Sequence, residues 1–258
     1  MAKYLPYSRR ELRVRFATRV KRNSRPLLIL LLGAIGLVAL TSYLLLGVGD
    51  PAPWSWYLLG LMHATIVAIY IYALWSTYIA FDQEAIFHLR GAWGEENTRD
   101  ILKQARRKKL IWGWVDSVSL QFGDIDHLVV TRSGGLIAMD SKWRNNADAT
   151  GHELMVQSAR KTKLRAEGVM QSLLKRERGG HRASVNPLAV RPVIVVWGAL
   201  AQDIPVGAAV AGVNFVGGLN LIAWLRDLNG EPVSRDAARD LITRLEAFRE
   251  TAWSVATK

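Results

Sequence analysis

Two acidic residues and a lysine stand near the ends of two adjacent predicted strands. The strand at residues 124–131 carries Asp126, and the strand at residues 136–142 carries Asp140 and Lys142. An Arg-Ser-Gly-Gly turn signal separates the strands, so we expect a hairpin in which the two aspartates are adjacent. Asp140 and Lys142 are two residues apart on one strand, and their side chains therefore point to the same face.

These three groups suit metal-assisted hydrolysis of a phosphodiester bond. The carboxylates can hold Mg²⁺ (or Mn²⁺), a hard cation that prefers oxygen ligands. The cation would neutralise the scissile phosphate and acidify a water molecule. The lysine would orient or deprotonate that water, or stabilise the charge that develops on the phosphate. The alternative is a salt-bridged cluster at the strand ends, although such charges at core-strand positions are costly without a metal ion or substrate.

The order of these motifs resembles the PD-(D/E)xK nuclease superfamily and, within it, the nuclease-related domain (NERD) family. The resemblance covers roughly residues 90–230. It rests on Gly94-Glu95 in a predicted helix, GDIDHLVV from Gly123, GLIAMDSKW from Gly135, and the strand PVIVVW that ends at Trp197. The family implies a restriction-endonuclease-like core and metal-dependent cleavage of DNA or RNA. Membrane-spanning segments are common companions of this domain in the family.

The resemblance also implies a role for each site residue. Glu95 would be the helix carboxylate that completes a metal site formed by Asp126 and Asp140. Lys142 would be the catalytic lysine. Gln157, on the helix that follows, would support that lysine or contact the substrate. A single D-x-K tripeptide is a weak signal, and the specificity comes from the order of helix carboxylate, strand aspartate, turn, D-x-K strand and helix.

Two positions depart from the family pattern. Ile125 stands at the position of the proline in the PD-(D/E)xK motif, and the replacement of that proline is common in this family. Asp140 stands where NERD sequences usually have glutamate. Aspartate is one methylene shorter, so the metal geometry can differ. His127 points to the opposite face from Asp126, and we interpret it as a structural hydrogen-bonding group rather than a ligand. Its place in the motif leaves room for a functional role.

The basic residues around this site have two interpretations. Arg160, Lys161 and Lys163 follow Gln157 within two helical turns, where they would contact phosphate or form a solvated helix face. Arg144, just after the D-x-K strand, is placed to clamp a nucleotide. These four residues are the candidate nucleic-acid-binding groups.

Charge is distributed unevenly along the 258 residues, which hold 34 Lys and Arg against 22 Asp and Glu. Nine basic residues and one acid lie within residues 1–25, whereas residues 26–81 contain no Lys or Arg. Residues 82–258 carry a net charge of only +5. Most of the excess therefore marks membrane topology rather than nucleic-acid binding. The absence of cysteine excludes disulfides, thiolate zinc sites and cysteine nucleophiles.

Two apolar runs, residues 27–48 and 54–80, are each long enough to cross a bilayer as a helix. A turn rich in Gly and Pro joins them, so they predict a transmembrane hairpin at residues 27–81. The basic arm at residues 1–26 and the basic segment after the second run place both termini in the cytoplasm by the positive-inside rule. We expect the protein in the cell (inner) membrane with two spans.

Residues 82–258 predict one α/β domain with a mixed sheet flanked by helices. Its expected element order is α-β-β-β-α-β-(β)-α-α, which would be the NERD-like nuclease domain. The leading functional hypothesis is a membrane-anchored, metal-dependent nuclease that hydrolyses DNA or RNA on the cytoplasmic side. The alternative is a non-catalytic nuclease-like module that binds nucleic acid or a partner protein at the membrane.

Overall fold

The computed structural model of the chain describes residues 7–46, 52–120, 123–146, 149–177, 190–230 and 232–256. These residues form two compact units. One unit consists of Arg9–Leu89, and the other is formed by Ser8 and the described residues from Arg90 onward.

The first unit is helical. It contains α1 (Tyr7–Arg22) from Arg9 onward, α2 (Ser24–Leu46) and α3 (Pro53–Phe81). Helices α2 and α3 are long and apolar enough to span a membrane, and almost none of their apolar surface is buried within the protein. A hydrogen bond of 3.2 Å between the Ser42 hydroxyl and His63 Nε2 joins them. The predicted spans lie on these helices, apart from residues 47–48, which fall outside the described residues.

The described part of the basic arm is also helical, and it packs against the end of α3. Leu12 and Tyr78 are buried together, and the Tyr78 hydroxyl donates to the Leu12 carbonyl at 3.2 Å. The ring of Phe16 meets Tyr78 edge-on, with 5.3 Å between centroids. Arg15 forms ion pairs with Glu11 and Glu84. One arginine of the arm is therefore neutralised within this unit.

The second unit is an α/β domain with a six-stranded mixed sheet. Its elements are α4 (Gln83–Arg107, which enters this unit at Arg90), β1 (Ile111–Leu120), β2 (Gly123–Thr131), β3 (Leu136–Trp143), α5 (Ala149–Glu177), β4 (Val190–Trp197), β5 (Ala209–Val210), β6 (Val213–Gly217), α6 (Leu221–Arg226) and α7 (Arg235–Ala256). The strand order is β1-β2-β3-β4-β6-β5. Strands β3, β4 and β6 are parallel, while β1, β2 and β3 form an antiparallel meander and β5 is antiparallel to β6.

Helices cover both faces of this sheet because its central strands are apolar on both sides. Leu128 and Val130 of β2 pack with α5 and α7 on one face. Val129, between them, points to the other face and packs with α4 and α6. Helix α5 connects β3 to β4, as the parallel pairing of these two strands requires. The sheet is thus the middle layer of three.

The predicted α/β class and mixed sheet are confirmed. The strands predicted at residues 124–131 and 136–142 are present within one residue of their expected ends. Strand β5 was not predicted, since it has only two exposed residues and no alternation to reveal it.

Candidate active site

The hairpin between β2 and β3 is fixed by a glycine turn. Gly135 has a φ of 74°, a left-handed conformation that side chains with a Cβ rarely adopt. Its carbonyl accepts hydrogen bonds from the backbone N–H and the hydroxyl of Thr131, at 3.1 and 2.8 Å. This turn pairs Val130 with Leu136 at the start of the ladder. The register of all later positions follows from it.

Asp126 and Asp140 lie one position beyond the last paired residues of this ladder, His127 and Met139. Asp126 Oδ2 accepts a hydrogen bond of 2.8 Å from the backbone N–H of Ser141. The side chain of Asp126 thereby takes a backbone donor of the neighbouring strand. The sequence-based prediction that the two aspartates are adjacent across the hairpin agrees with this geometry.

Lys142 and Asp140 form a direct ion pair on one side of β3. Lys142 Nζ lies 2.7 Å from Asp140 Oδ1, and the lysine side chain is 29% exposed while that of the aspartate is 7% exposed. The other oxygen of Asp140 accepts a hydrogen bond of 2.7 Å from the hydroxyl of Ser158 on α5. Asp140 is therefore held from two elements, and the side chain of Lys142 is only partly buried.

A buried hydroxyl fixes α4 against the sheet. Thr98 Oγ1 accepts hydrogen bonds of 2.9 Å from the Ser141 hydroxyl and from Trp197 Nε1. It donates its own proton to the carbonyl of Gly94, also at 2.9 Å. One threonine thus joins α4 to β3 and β4. Glu95, which precedes it by three residues on the helix, is positioned by this junction.

Glu95 is buried, at 7% exposure, and accepts a hydrogen bond of 3.0 Å from the Ser8 hydroxyl. Burial raises the pKa of Glu95 to about 7, although this hydrogen bond and the positive charges of Arg99 and Lys142 act in the opposite direction. A carboxyl group with such a pKa exchanges its proton near neutrality.

The charges of the site residues interact with one another. Burial raises the pKa of Asp126 well above its usual value, and the negative charges of Glu95 and Asp140 raise it further. Burial alone would lower the pKa of Lys142, but the charges of Asp140 and Asp126 raise it overall. Lys142 is therefore an ammonium ion at neutral pH. The four predicted residues Glu95, Asp126, Asp140 and Lys142 form one electrostatic group.

His127 belongs to a separate buried network on the face of the sheet that α4 covers. It is 1% exposed, and its Nδ1 lies 2.6 Å from Asp116 Oδ1. The second oxygen of Asp116 accepts from Arg99 Nε at 2.7 Å. Burial would raise the pKa of Asp116, but the hydrogen bond and charge of His127, together with Arg99, lower it overall. The interpretation of His127 as a structural hydrogen-bonding group agrees with this position.

Whether this site can hold a divalent cation depends on which ligand atoms its side chains present. Among the residues that the structure describes, no group of three or more histidine, aspartate or glutamate side chains is placed to hold a metal ion. Mg²⁺, however, is commonly held by one or two carboxylates together with water and substrate phosphate. Asp126 and Asp140 provide two carboxylates; the negative charge of Asp140 adds to burial in raising the pKa of Asp126, and a cation would relieve that repulsion. The donors therefore suit Mg²⁺.

Among the described residues, the other predicted site residues do not bond to the four side chains of the electrostatic group, although the charge of Arg144 acts to lower the pKa of Lys142. Gln157 is exposed on α5, and the next residue, Ser158, makes the contact with Asp140 instead. Three of the four predicted nucleic-acid-binding residues already have partners within the protein. Arg144 donates to the carbonyl of Trp143, and Arg160 donates to the carbonyl of Ala211. Lys163 Nζ lies 3.7 Å from Glu167 Oε1, while Lys161 is exposed.

Arg165 belongs to the same basic run of α5, but the sequence placed Arg160, Lys161 and Lys163 ahead of it as candidate phosphate contacts. Arg165 lies two turns after Ser158 on α5, on the same side of the helix. Its guanidinium donates to the Asp124 carbonyl at 3.5 Å. A Cβ at Gly123, which has a φ of 120°, would lie only 2.6 Å from this guanidinium. The seven-residue spacing between Ser158 and Arg165, which puts both on one side of a helix, was the sequence signal that could have placed Arg165 near the site.

Comparison with known proteins assigns neither a family nor a function to the chain. No family model matches the chain. Neither a curated protein nor a solved structure matches it. A functional assignment therefore depends on the site residues themselves.

Proposed function

We propose that this protein is a membrane-anchored, metal-dependent nuclease that hydrolyses phosphodiester bonds of DNA or RNA. The observation that carries the proposal is the pairing of Lys142 with Asp140 on β3, beside Asp126 on β2. The resemblance to the NERD family and the element order of the second unit support a restriction-endonuclease-like core for this site. The family assignment is part of the proposal.

Each group would have one role in the reaction. Asp126 and Asp140 would hold Mg²⁺ or Mn²⁺. Glu95, the third carboxylate that the resemblance implies, is not grouped with them as an ion ligand among the described residues and would act through its charge on Asp126. The cation, when bound, would act as a Lewis acid that neutralises the charge of the phosphate and lowers the pKa of a water molecule. Lys142, whose pKa is raised, would act as a fixed positive charge towards the scissile phosphate rather than as a general base. Ser158 would orient Asp140 through its hydrogen bond.

The proposed location is the cytoplasmic side of the cell (inner) membrane. Helices α2 and α3, with their exposed apolar side chains, support two spans. The nine basic residues in the first 25 and the absence of Lys and Arg from residues 26–81 support cytoplasmic termini. The anchor would keep cleavage close to the membrane surface.

The test is a cleavage assay with the full chain in detergent or nanodiscs. Single- and double-stranded DNA and RNA are each incubated with Mg²⁺, Mn²⁺ or EDTA. We expect cleavage of at least one polymer with a divalent ion and none in EDTA. Asp126→Asn should be inactive, while the matched variant Asp100→Asn, at an exposed aspartate of α4, should stay active. Folded wild-type protein that cleaves none of the four, or an Asp126→Asn variant that cleaves equally well, would refute the proposal.

The second candidate is a non-catalytic module that binds nucleic acid or a partner protein at the membrane. The observation that favours it is that both oxygens of Asp140 already have protein partners, Lys142 and Ser158. A cluster satisfied in this way can serve as a structural ion pair. Binding of an oligonucleotide without cleavage under any divalent ion would select this candidate.

A further inference from the structure

A groove lined by arginine and tryptophan lies on the second unit, outside the carboxylate site. It encloses about 280 Å³ between the end of α4, the edge strand β1 and the first turns of α7. Its lining includes Arg106, Arg235, Arg239, Trp112, Trp114 and Glu246. At 1.5 Å per residue, Arg106 lies about 16 Å along α4 from Glu95.

The guanidinium groups of this groove are available to a ligand. Arg106, Arg235 and Arg239 are exposed, and within the described part of the chain none of them forms an ion pair. Glu246 is the acid among the lining residues, so the groove is positively charged. Arginine presents several donors in a planar arrangement that matches a phosphate group.

The aromatic side of the groove is held in place by other contacts. Trp112 Nε1 donates to the Val233 carbonyl at 2.8 Å, and the guanidinium of Arg132 lies 3.9 Å from the centre of the Trp112 ring. The guanidinium of Arg106 lies 5.7 Å from the centre of the Trp114 ring. The two rings pack on opposite faces of β1, and the fixed ring of Trp112, on the α7 side, suits stacking with a base.

The groove depends on a glycine in the edge strand. A Cβ at Gly113 would come within 2.8 Å of Ile242 Cδ1, so the absence of a side chain lets α7 approach β1. This approach brings α7, which carries Arg235 and Arg239, towards the face of β1 on which Trp112 packs, whereas Trp114 packs on the opposite face with α4. The lining thus combines exposed guanidinium groups with an indole ring, which is the arrangement expected for a ligand with a phosphate and an aromatic ring.

We propose that this groove binds a nucleotide unit, with its phosphate on Arg235 and Arg239 and its base against Trp112, on the same face of β1. The nucleotide can belong to a nucleic-acid strand or be free in solution, since both present the same chemistry. The inference does not depend on phosphodiester cleavage, because it concerns binding and is tested in EDTA, where metal-dependent turnover does not occur.

The experiment uses the full chain in detergent and a fluorescent single-stranded oligonucleotide in EDTA. Fluorescence anisotropy gives the dissociation constant at several salt concentrations, and AMP and ATP are added as competitors. The double substitution Arg235→Gln/Arg239→Gln should weaken binding of the oligonucleotide, or of ATP measured by calorimetry, by roughly tenfold to a hundredfold. For the single-stranded oligonucleotide, the magnitude of the slope of log association constant against log salt should fall by about 1.4, since each lost phosphate contact contributes about 0.7.

Arg244→Gln is the matched control, because Arg244 lies on the same helix but pairs with Asp240 at 2.7 Å. It should change affinity less than about threefold, in line with a long-range charge effect. Tight binding of the oligonucleotide alone would assign a strand to the groove, and tight binding of ATP would assign a free nucleotide.

Three results would overturn the inference. The first is that the double variant and Arg244→Gln weaken binding of the probe equally. The second is that the wild-type protein binds neither the oligonucleotide nor ATP. The third is that an abasic oligomer of the same length binds as tightly as the oligonucleotide with bases. Thermal unfolding curves of the variants check that their fold is unchanged, which we expect because both arginines are exposed.

Discussion

The carboxylate of Asp126 accepts a hydrogen bond from the backbone N–H of Ser141, with 2.8 Å between Oδ2 and N. A charged side chain thus satisfies a backbone donor on the neighbouring strand. The same carboxylate is repelled by Glu95 and Asp140, which raise its pKa. Asp126 therefore has a structural role and an electrostatic cost, and substitutions can separate the two.

Asp126→Asn and Asp126→Ala should differ in stability although both remove the charge. Asparagine keeps an oxygen that can accept from Ser141, whereas alanine leaves the N–H without that acceptor. We expect the alanine variant to be about 1–2 kcal/mol less stable than the asparagine variant. Chemical denaturation of the full chain in EDTA measures the difference. Equal stability of the two variants would show that the hydrogen bond contributes nothing.

Lys142→Met should lower the cleavage rate by about a hundredfold or more, the usual loss when one preorganised electrostatic group is removed. Affinity for an uncleaved oligonucleotide in EDTA should change little, because a single charge is lost. Lys103→Met is the matched control, since Lys103 also pairs with an aspartate, Asp100, at 2.7 Å but lies at an exposed position on α4. Retained turnover with weakened binding would contradict the role given to Lys142.

Ser158→Ala and Gln157→Ala compare adjacent positions on α5. Ser158 donates to Asp140 at 2.7 Å, while Gln157 is exposed. We expect the serine substitution to lower the cleavage rate roughly tenfold, the effect of losing one hydrogen bond to a charged group, and the glutamine substitution to leave it within about twofold. The opposite order would mean that Gln157 has the role that the NERD resemblance implies.

The stability of the protein should depend on pH through Glu95. Burial raises its pKa from an ordinary 4.5 to about 7, so the folded state binds this proton more tightly than the unfolded state. The stabilising contribution is complete below about pH 4.5 and is lost as pH rises through about 7. Glu95→Gln cannot titrate, so the stability of wild type relative to this variant should fall across that range.

Denaturant unfolding in EDTA, at several pH values between about 4.5 and 7.5, measures this difference. Glu153→Gln, at an exposed glutamate of α5, is the matched control and should show no comparable trend. A wild-type stability that rises with pH relative to Glu95→Gln would contradict the direction of the shift.

Membrane topology can be tested with fusions in a bacterial host. Alkaline phosphatase fused to the C-terminus should be inactive, because both termini are expected in the cytoplasm. The same enzyme inserted after Asp50, between the two predicted spans, should be active. An active C-terminal fusion would place the α/β domain outside and would show that the charge pattern was misinterpreted.

The convergence of Asp126, Asp140 and Lys142 could be predicted from sequence because strand periodicity and a short turn determine it locally. The choice between Gln157 and Ser158 could not, since it depends on the rotation of α5 about its axis, and a helix turns by about 100° per residue. Periodicity alone did not fix that rotation.

The network of Arg99, Asp116 and His127 was also beyond sequence reasoning. It joins α4, β1 and β2, so it depends on how a helix docks on a sheet rather than on local spacing. The fold class was accessible for the opposite reason. Apolar runs, glycine turns and strand alternation are each local signals, and together they indicate a mixed sheet covered by helices.

The Thr98 hydroxyl also determines when the site can assemble during synthesis of the chain. Its partners are 43 residues away at Ser141 and 99 residues away at Trp197. The junction that positions Glu95 therefore cannot close until β4 has emerged from the ribosome and docked beside β3. A nascent chain that ends before β4 would carry the aspartates and the lysine but lack this junction, so we expect the protein to acquire activity only late in translation.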